Sequence, residues 1–238
     1  LPPSITDKQV SAIDTERALL APERVRQVVA YTLEHFAQKT RRAAGYRHSV
    51  IANVGEVVVG RGRVQEQRVS ARVQGFNALF ATASIDAARI YYNQFAIQQQ
   101  DLPDDQRLKV ALIYSYAANA AYEDDLLGEE DFDTSVLAGD ARDFLEDAIQ
   151  DYNEMFGTSF DTSAERFENY YKDLSLRLKN RELDLVIVVN MLLTGFDATT
   201  LSTLWVDKNL RAHGLIQAYS RTNRILNSVK TYGNIVSF

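Results

Sequence analysis

The run Leu185-Val-Ile-Val-Val189 constrains the fold of this chain more than any other feature. Consecutive apolar, mostly β-branched residues leave a strand with no polar face to turn toward water. Such a strand is covered on both sides, and helices that connect parallel strands are the usual cover. Ala78-Leu-Phe-Ala-Thr82, Lys109 to Ser115, residues 202 to 207 and Asn234 to Phe238 read as further short strands. The stretches between them carry apolar residues at helical spacing. These are Ile85, Ala88, Tyr91, Tyr92 and Phe95, then Leu145, Ala148, Ile149, Tyr152 and Phe156, then Phe167, Tyr170, Tyr171, Leu174 and Leu178. The expected fold is α/β, a parallel sheet with helices on both faces. Tyr91, Tyr92, Tyr170 and Tyr171 are then expected in the core rather than as stacking platforms for bases. Ser84 suits the cap of the first of these helices, and Thr162-Ser-Ala-Glu165 has capping-box spacing for the last.

Upstream, residues 1 to 20 read as an irregular lead-in. Pro22 can open a helix, because its missing N–H costs nothing in the first turn. Val25, Val28, Val29, Thr32, Leu33 and Phe36 would form its buried face. Residues 40 to 75 change character, being Arg- and Gly-rich with β-branched runs at 49 to 51 and 57 to 59. A hairpin or insertion is expected there, inside one unit running from 21 to 238.

Composition excludes more than it assigns. Without cysteine there are no disulfides or thiolate metal sites, and no metal-ligating set is expected. No apolar run approaches the roughly 18 residues of a membrane span, and Leu1-Pro-Pro-Ser does not begin a signal peptide. Cytoplasmic location is the expectation, as a piece of a longer protein, since the chain lacks an initial Met. The net charge of -6 is unevenly spread. From Lys39 to Arg72 there are eight Lys or Arg against Glu56 and Glu66, and from Glu123 to Asp151 twelve carboxylates against Arg142. Both read most simply as solvated surfaces, although the basic one is also able to meet phosphates.

The chemistry concentrates near the C-terminus. Gln217-Ala-Tyr-Ser-Arg221-Thr-Asn-Arg224 sets an amide and two guanidinium groups in one short segment, and on a helix the two arginines share a face. Paired arginines can grip phosphate oxygens and stabilise the charge of a transferring phosphoryl group. The plainer reading is a helix with surface ion pairs. Thr194-Gly-Phe-Asp197 follows the central strand, where Gly195 allows a tight backbone and Asp197 could orient a ribose hydroxyl, a water or an arginine. An ordinary strand-to-loop turn explains it equally well. His213 fits a structural helix start better than a ligand contact. A phosphate loop, an Asp-Glu box, a Glu-x-Lys nuclease core, a calcium loop and a Gly-x-Ser-x-Gly elbow are all missing from the sequence.

The run MLLTGFDATTLSTLWVDKNLRAHGLIQAYSRTNRI, Met191 to Ile225, resembles helicase motifs V and VI of the motor (R) subunit of type I restriction enzymes. NALFATASIDAARIYYNQF, EDAIQDYNEMFGTSF and the closing KTYGNIVSF resemble other parts of the same lobe. The resemblance implies the second RecA-like lobe of a superfamily 2 DNA translocase. It places the motif VI arginines at Arg221 and Arg224, the motif VI glutamine at Gln217, and motif V at Thr194, Gly195 and Asp197. Arg221, Arg224 and Gln217 would be catalytic, with Gly195 and Asp197 facing nucleotide beside the arginines. Thr82, Ser84 and Thr194 would touch DNA. ATP and Mg²⁺ would be held mainly by a first lobe. Duplex DNA, that lobe, a nuclease domain of the same polypeptide, and the methylation and specificity subunits would be the partners. The chain alone, without a phosphate loop, should not turn over ATP. Ser220 and Thr199 depart from the general pattern, where Gly and Pro are expected. The rival expectation is a non-catalytic RecA-like docking or regulatory module whose basic stretch meets a partner. A standalone nuclease built on the acidic stretch is a third.

Overall fold

The computed structural model describes residues 18–60, 64–114, 137, 139–189, 191–193, 196–208, 216, 219–226 and 228–238. Helix α1 (Pro22–Lys39) begins with Pro at its first position and buries Val25, Val28, Val29, Thr32 and Phe36. An antiparallel ribbon follows, β1 (Gly45–Ile51) and β2 (Arg68–Gln74), with helix α2 (Val54–Val59) between its strands. Then come β3 (Asn77–Thr82), α3 (Ile85–Gln99), β4 (Val110–Tyr114), α4 (Gly139–Phe156), α5 (Ala164–Lys179), β5 (Leu185–Val189), β6 (Leu201–Asp207) and β7 (Asn234–Ser237).

The sheet has five strands in the order β4-β5-β3-β6-β7, and every pairing in it is parallel. All residues of β3, β5 and β6 are buried, so both faces of the sheet centre are covered. Alternate side chains of β3 show by what. Phe80 meets Tyr91 and Phe95 of α3, whereas Asn77 donates to the Leu178 carbonyl of α5, 2.5 Å away. Helix α1 shares the α3 side, its Tyr31 ring lying edge-on to Trp205. Helix α4 closes the β4 edge, joined to α3 through Tyr92–Phe144 and to α5 through Tyr152–Tyr170. This is the α/β, RecA-like arrangement. Full burial of each Leu, Ile or Val in β5 is worth about 1.5–3 kcal/mol, which makes this strand the anchor of the core.

Local chemistry explains where the elements start. Ser84 Oγ accepts from the Ala87 amide (3.2 Å) and caps α3. Gly75 sits at φ +61°, and a Cβ there would stand 2.7 Å from the Arg42 backbone, so the turn from ribbon to sheet requires glycine. Two local expectations are corrected. Residues 57 to 59 form part of α2, not a strand, because a single helical turn buries Val54 and Val58 four apart while Asn53 holds the chain return through Gln67 N and Gln65 O. The box from Thr162 to Glu165 does not cap α5. The helix starts one residue later, with Ser163 at the N-cap, and Asp161 Oδ1 takes the Ser163 amide instead.

Candidate functional site

The segment 196–201 leads into β6, whose first residue, Leu201, is level with Asn77, the first residue of β3. Although it follows the carboxyl end of β5 in sequence, it has returned to the amino edge of the sheet. Following β5 in sequence therefore does not put Asp197 at the carboxyl edge: the crossover has already carried the chain back.

At that edge, segments 196–201 and 220–230 are stitched together. Arg221 Nη1 donates to the Phe196 carbonyl at 2.7 Å, and its Nη2 to Ser220 Oγ at 3.1 Å. Arg224 Nε pairs with Asp197 Oδ1 at 3.1 Å, and both side chains are more than half exposed, 56% and 54%. Beneath them Lys230, only 1% exposed, sends its ammonium into three carbonyls: Leu201 and Arg224 at 2.6 Å and Thr199 at 3.2 Å. Burial pushes the Lys230 pKa down to about 8, partly opposed by the Asp197 charge.

This arrangement also corrects the expected helix through both arginines. Helical geometry is present at 219–220 and gives way to a turn at 221–223. The reason is non-local. The Arg224 carbonyl is taken by Lys230, and the buried Thr222 is pressed by Gly233, where a Cβ would lie 2.4 Å from the Thr222 carbonyl oxygen. Arg221 and Arg224 therefore act on different groups: the first braces Phe196, the second meets Asp197 at the surface. A cavity of about 210 Å³ adjoins Asp197, lined in part by Thr199, Lys179, Asn180 and, from the ribbon, His48, Ser49 and Arg68.

Thr82 and Ser84 lie at the opposite, carboxyl edge. Across β6's seven residues the separation is about 20 Å, at about 3.3 Å each. Thr82 is fully buried and its hydroxyl is engaged with the Ser84 and Val188 carbonyls, while Ser84 is half-buried. The same edge carries a clasp that the sequence did not suggest. Asp207 Oδ1 and Oδ2 receive Arg24 at 2.6 and 3.0 Å, and Tyr91 donates to Oδ2 at 2.5 Å. Burial, together with the Asp207 charge, pushes the Tyr91 pKa upward. Thr194, Gly195, Gln217 and His213 lie outside the described residues, as does most of the acidic stretch. Lys230 had no signal of its own in the sequence, since a lone lysine is ordinarily exposed.

Comparison with known proteins gives the class and then the family. Residues 74–238 match the family model described as type I restriction enzyme subunit R domain 3. The chain is 35% identical over 234 residues to the type I restriction enzyme SauMRSORF196P endonuclease subunit of Staphylococcus aureus (strain MRSA252), covering 98% of this chain and 21% of that protein. It is 36% identical over 235 residues to the SsaAORF53P endonuclease subunit of Staphylococcus saprophyticus, with the same coverage of each. A shorter stretch of 48 residues, 20% of this chain and 13% of the relative, is 69% identical to the putative MpnIIP endonuclease subunit N-terminal part of Mycoplasma pneumoniae. The chain belongs to the type I restriction enzyme R-subunit family. It spans about a fifth of the length of the staphylococcal relatives it matches.

Proposed function

We propose that this chain is the second RecA-like lobe of an ATP-driven duplex-DNA translocase, within the R subunit of a type I restriction endonuclease. ATP and Mg²⁺ sit mainly on a first lobe of the same polypeptide. This lobe closes over them with its amino edge, and the cycle of closure and release draws DNA toward cleavage by a separate nuclease domain. Methylation and specificity subunits complete the enzyme, which is expected in the cytoplasm.

The observation that carries this reading is the exposed Arg224–Asp197 pair at 3.1 Å. A surface ion pair contributes only about 0–1 kcal/mol. Arg224 can therefore leave Asp197 for a better anion at little cost, and a γ-phosphate offers bidentate, charge-assisted hydrogen bonds. Asp197 marks the resting position of the guanidinium. Arg221, bound to the Phe196 carbonyl, holds the loop that bears Asp197. Gln217 and Gly195 serve the nucleotide in this reading and Thr194 the DNA; Ser84, half-buried at the carboxyl edge, is the described residue that can meet DNA there, since Thr82 is buried with its hydroxyl engaged. Bound Mg-ATP supplies the transferable phosphoryl group, and this chain's part is to position Arg224 and to shield the phosphate from water.

The test is DNA-stimulated ATP hydrolysis by the complete enzyme with Arg224→Ala. Turnover should fall by roughly two or more orders of magnitude with DNA binding retained. Unchanged turnover would remove Arg224 from the reaction and favour a docking module.

A further inference from the structure

The ribbon β1–β2 is a separate two-stranded sheet beside the amino edge of the main one, where His48, Ser49 and Arg68 share a cavity with Asp197, and one of its pairings is unfavourable within the chain itself. Arg47 and Arg72 are directly opposed across the strands, with Ser49 and Ser70 the next opposed pair on that face. All four are exposed. Like charges directly opposite destabilise an antiparallel pair. Neither strand contains a carboxylate, and among the described residues neither arginine forms an ion pair. Arg68 of β2 shows the contrast, because Glu66 takes its Nε at 2.9 Å and its Nη2 at 2.6 Å. Gly45 adds a geometric point. A Cβ there would meet Arg72 Nη2 at 3.3 Å, so the absence of a side chain leaves room for that guanidinium across the ribbon.

We propose that this outward face, centred on Arg47 and Arg72 with Ser49 and Ser70 beside them, binds the phosphate backbone of duplex DNA without regard to base sequence. It rests on the translocase reading only for the presence of duplex DNA. The four residues are exposed along the ribbon, with Ser49 also at the cavity beside Asp197, and a row of donors spread over two strands suits an extended polyanion better than a small phosphate. Its side chains are guanidinium and hydroxyl donors, the groups that bind phosphates and position a duplex. A local positive strip on a chain of net charge -6 confines attraction to this surface.

The experiment measures binding of the complete subunit to a short fluorescein-labelled duplex of arbitrary sequence, by anisotropy across a NaCl series. Replacing both arginines with glutamine (R47Q, R72Q) should reduce the slope of log K against log salt by about 2, one for each phosphate no longer neutralised. Replacing both with lysine should keep the slope. Circular dichroism checks that each variant is folded. An unchanged slope in the glutamine variant overturns the proposal, as does an equal reduction in the lysine variant, which would reveal a shape role rather than a charge role. If the glutamine variant keeps the slope but no longer co-elutes with the methylation and specificity subunits, the face is a protein-binding surface and the proposal fails. The proposed function is tested separately by Arg224→Ala. A reduced slope in the glutamine variant, together with unchanged turnover in Arg224→Ala, would overturn the translocase reading and leave the ribbon a DNA site.

Discussion

Lys230 is the residue whose chemistry reaches furthest. Its ammonium is buried among three carbonyls from two segments, and the cost of desolvating it holds its pKa near 8 against an ordinary 10.5. Between those values the unfolded chain binds the proton more tightly than the folded one. Stability contributed at this position is therefore lowest below about pH 8 and rises as pH increases through the window. Urea unfolding of the wild type and Lys230→Met at pH 7 and pH 10 should show the wild type gaining on the variant at the higher pH. A wild type that loses ground would mean that the carbonyls, not burial, dominate. The same residue explains the limits of sequence reading at the site. The residue types of Arg221, Arg224 and Asp197 were legible, and so was their nearness in sequence to a central strand. Their geometry was not, because contacts with Lys230 and Gly233 further along hold this segment as a turn, in which the Ser220 carbonyl takes the Asn223 amide.

Among the elements, the ribbon depends on one side chain at the end of α5. Asn180 accepts the Ile51 amide at Oδ1 (2.8 Å) and donates from Nδ2 to the Ile51 carbonyl (2.9 Å), so its amide imitates a neighbouring strand. His48 adds a bond to the Lys179 carbonyl at 2.9 Å. Asn180→Ala leaves both Ile51 groups without their buried partners, at about 1–3 kcal/mol each. Amide exchange in β1 and β2 should accelerate at least tenfold while β3, β5 and β6 remain protected; uniform acceleration would show that the ribbon does not open separately. The continuously apolar strands were readable from sequence because burial on both faces leaves no alternation to misread. α2 was not, since Val57 to Val59 carry strand propensity and only packing of Val54 and Val58 makes them helical.

At the scale of the molecule, the core does not begin where the family match does. The match starts at residue 74, yet α1 lies before it and places Val25, Val28, Val29 and Phe36 in the core. Its last residue offers one carbonyl to both Thr203 Oγ1 (3.1 Å) and Asn234 Nδ2 (2.8 Å). A chain cut to 74–238 should expose the Trp205 face of the sheet, bind a hydrophobic dye and lose its cooperative melt, whereas 18–238 should melt in one transition. A cooperative 74–238 would show that α1 is an accessory. Strand β6, which lies between β3 and β7, is held at both ends: Lys230 grips the Leu201 carbonyl where it starts, and Arg24 and Tyr91 grip Asp207 where it stops. A strand pinned at each tip and flanked on both sides behaves as a strut. A push on the edge that carries Arg224 is delivered at the edge that carries Thr82 and Ser84 as displacement of the whole lobe, with little absorbed by bending in between.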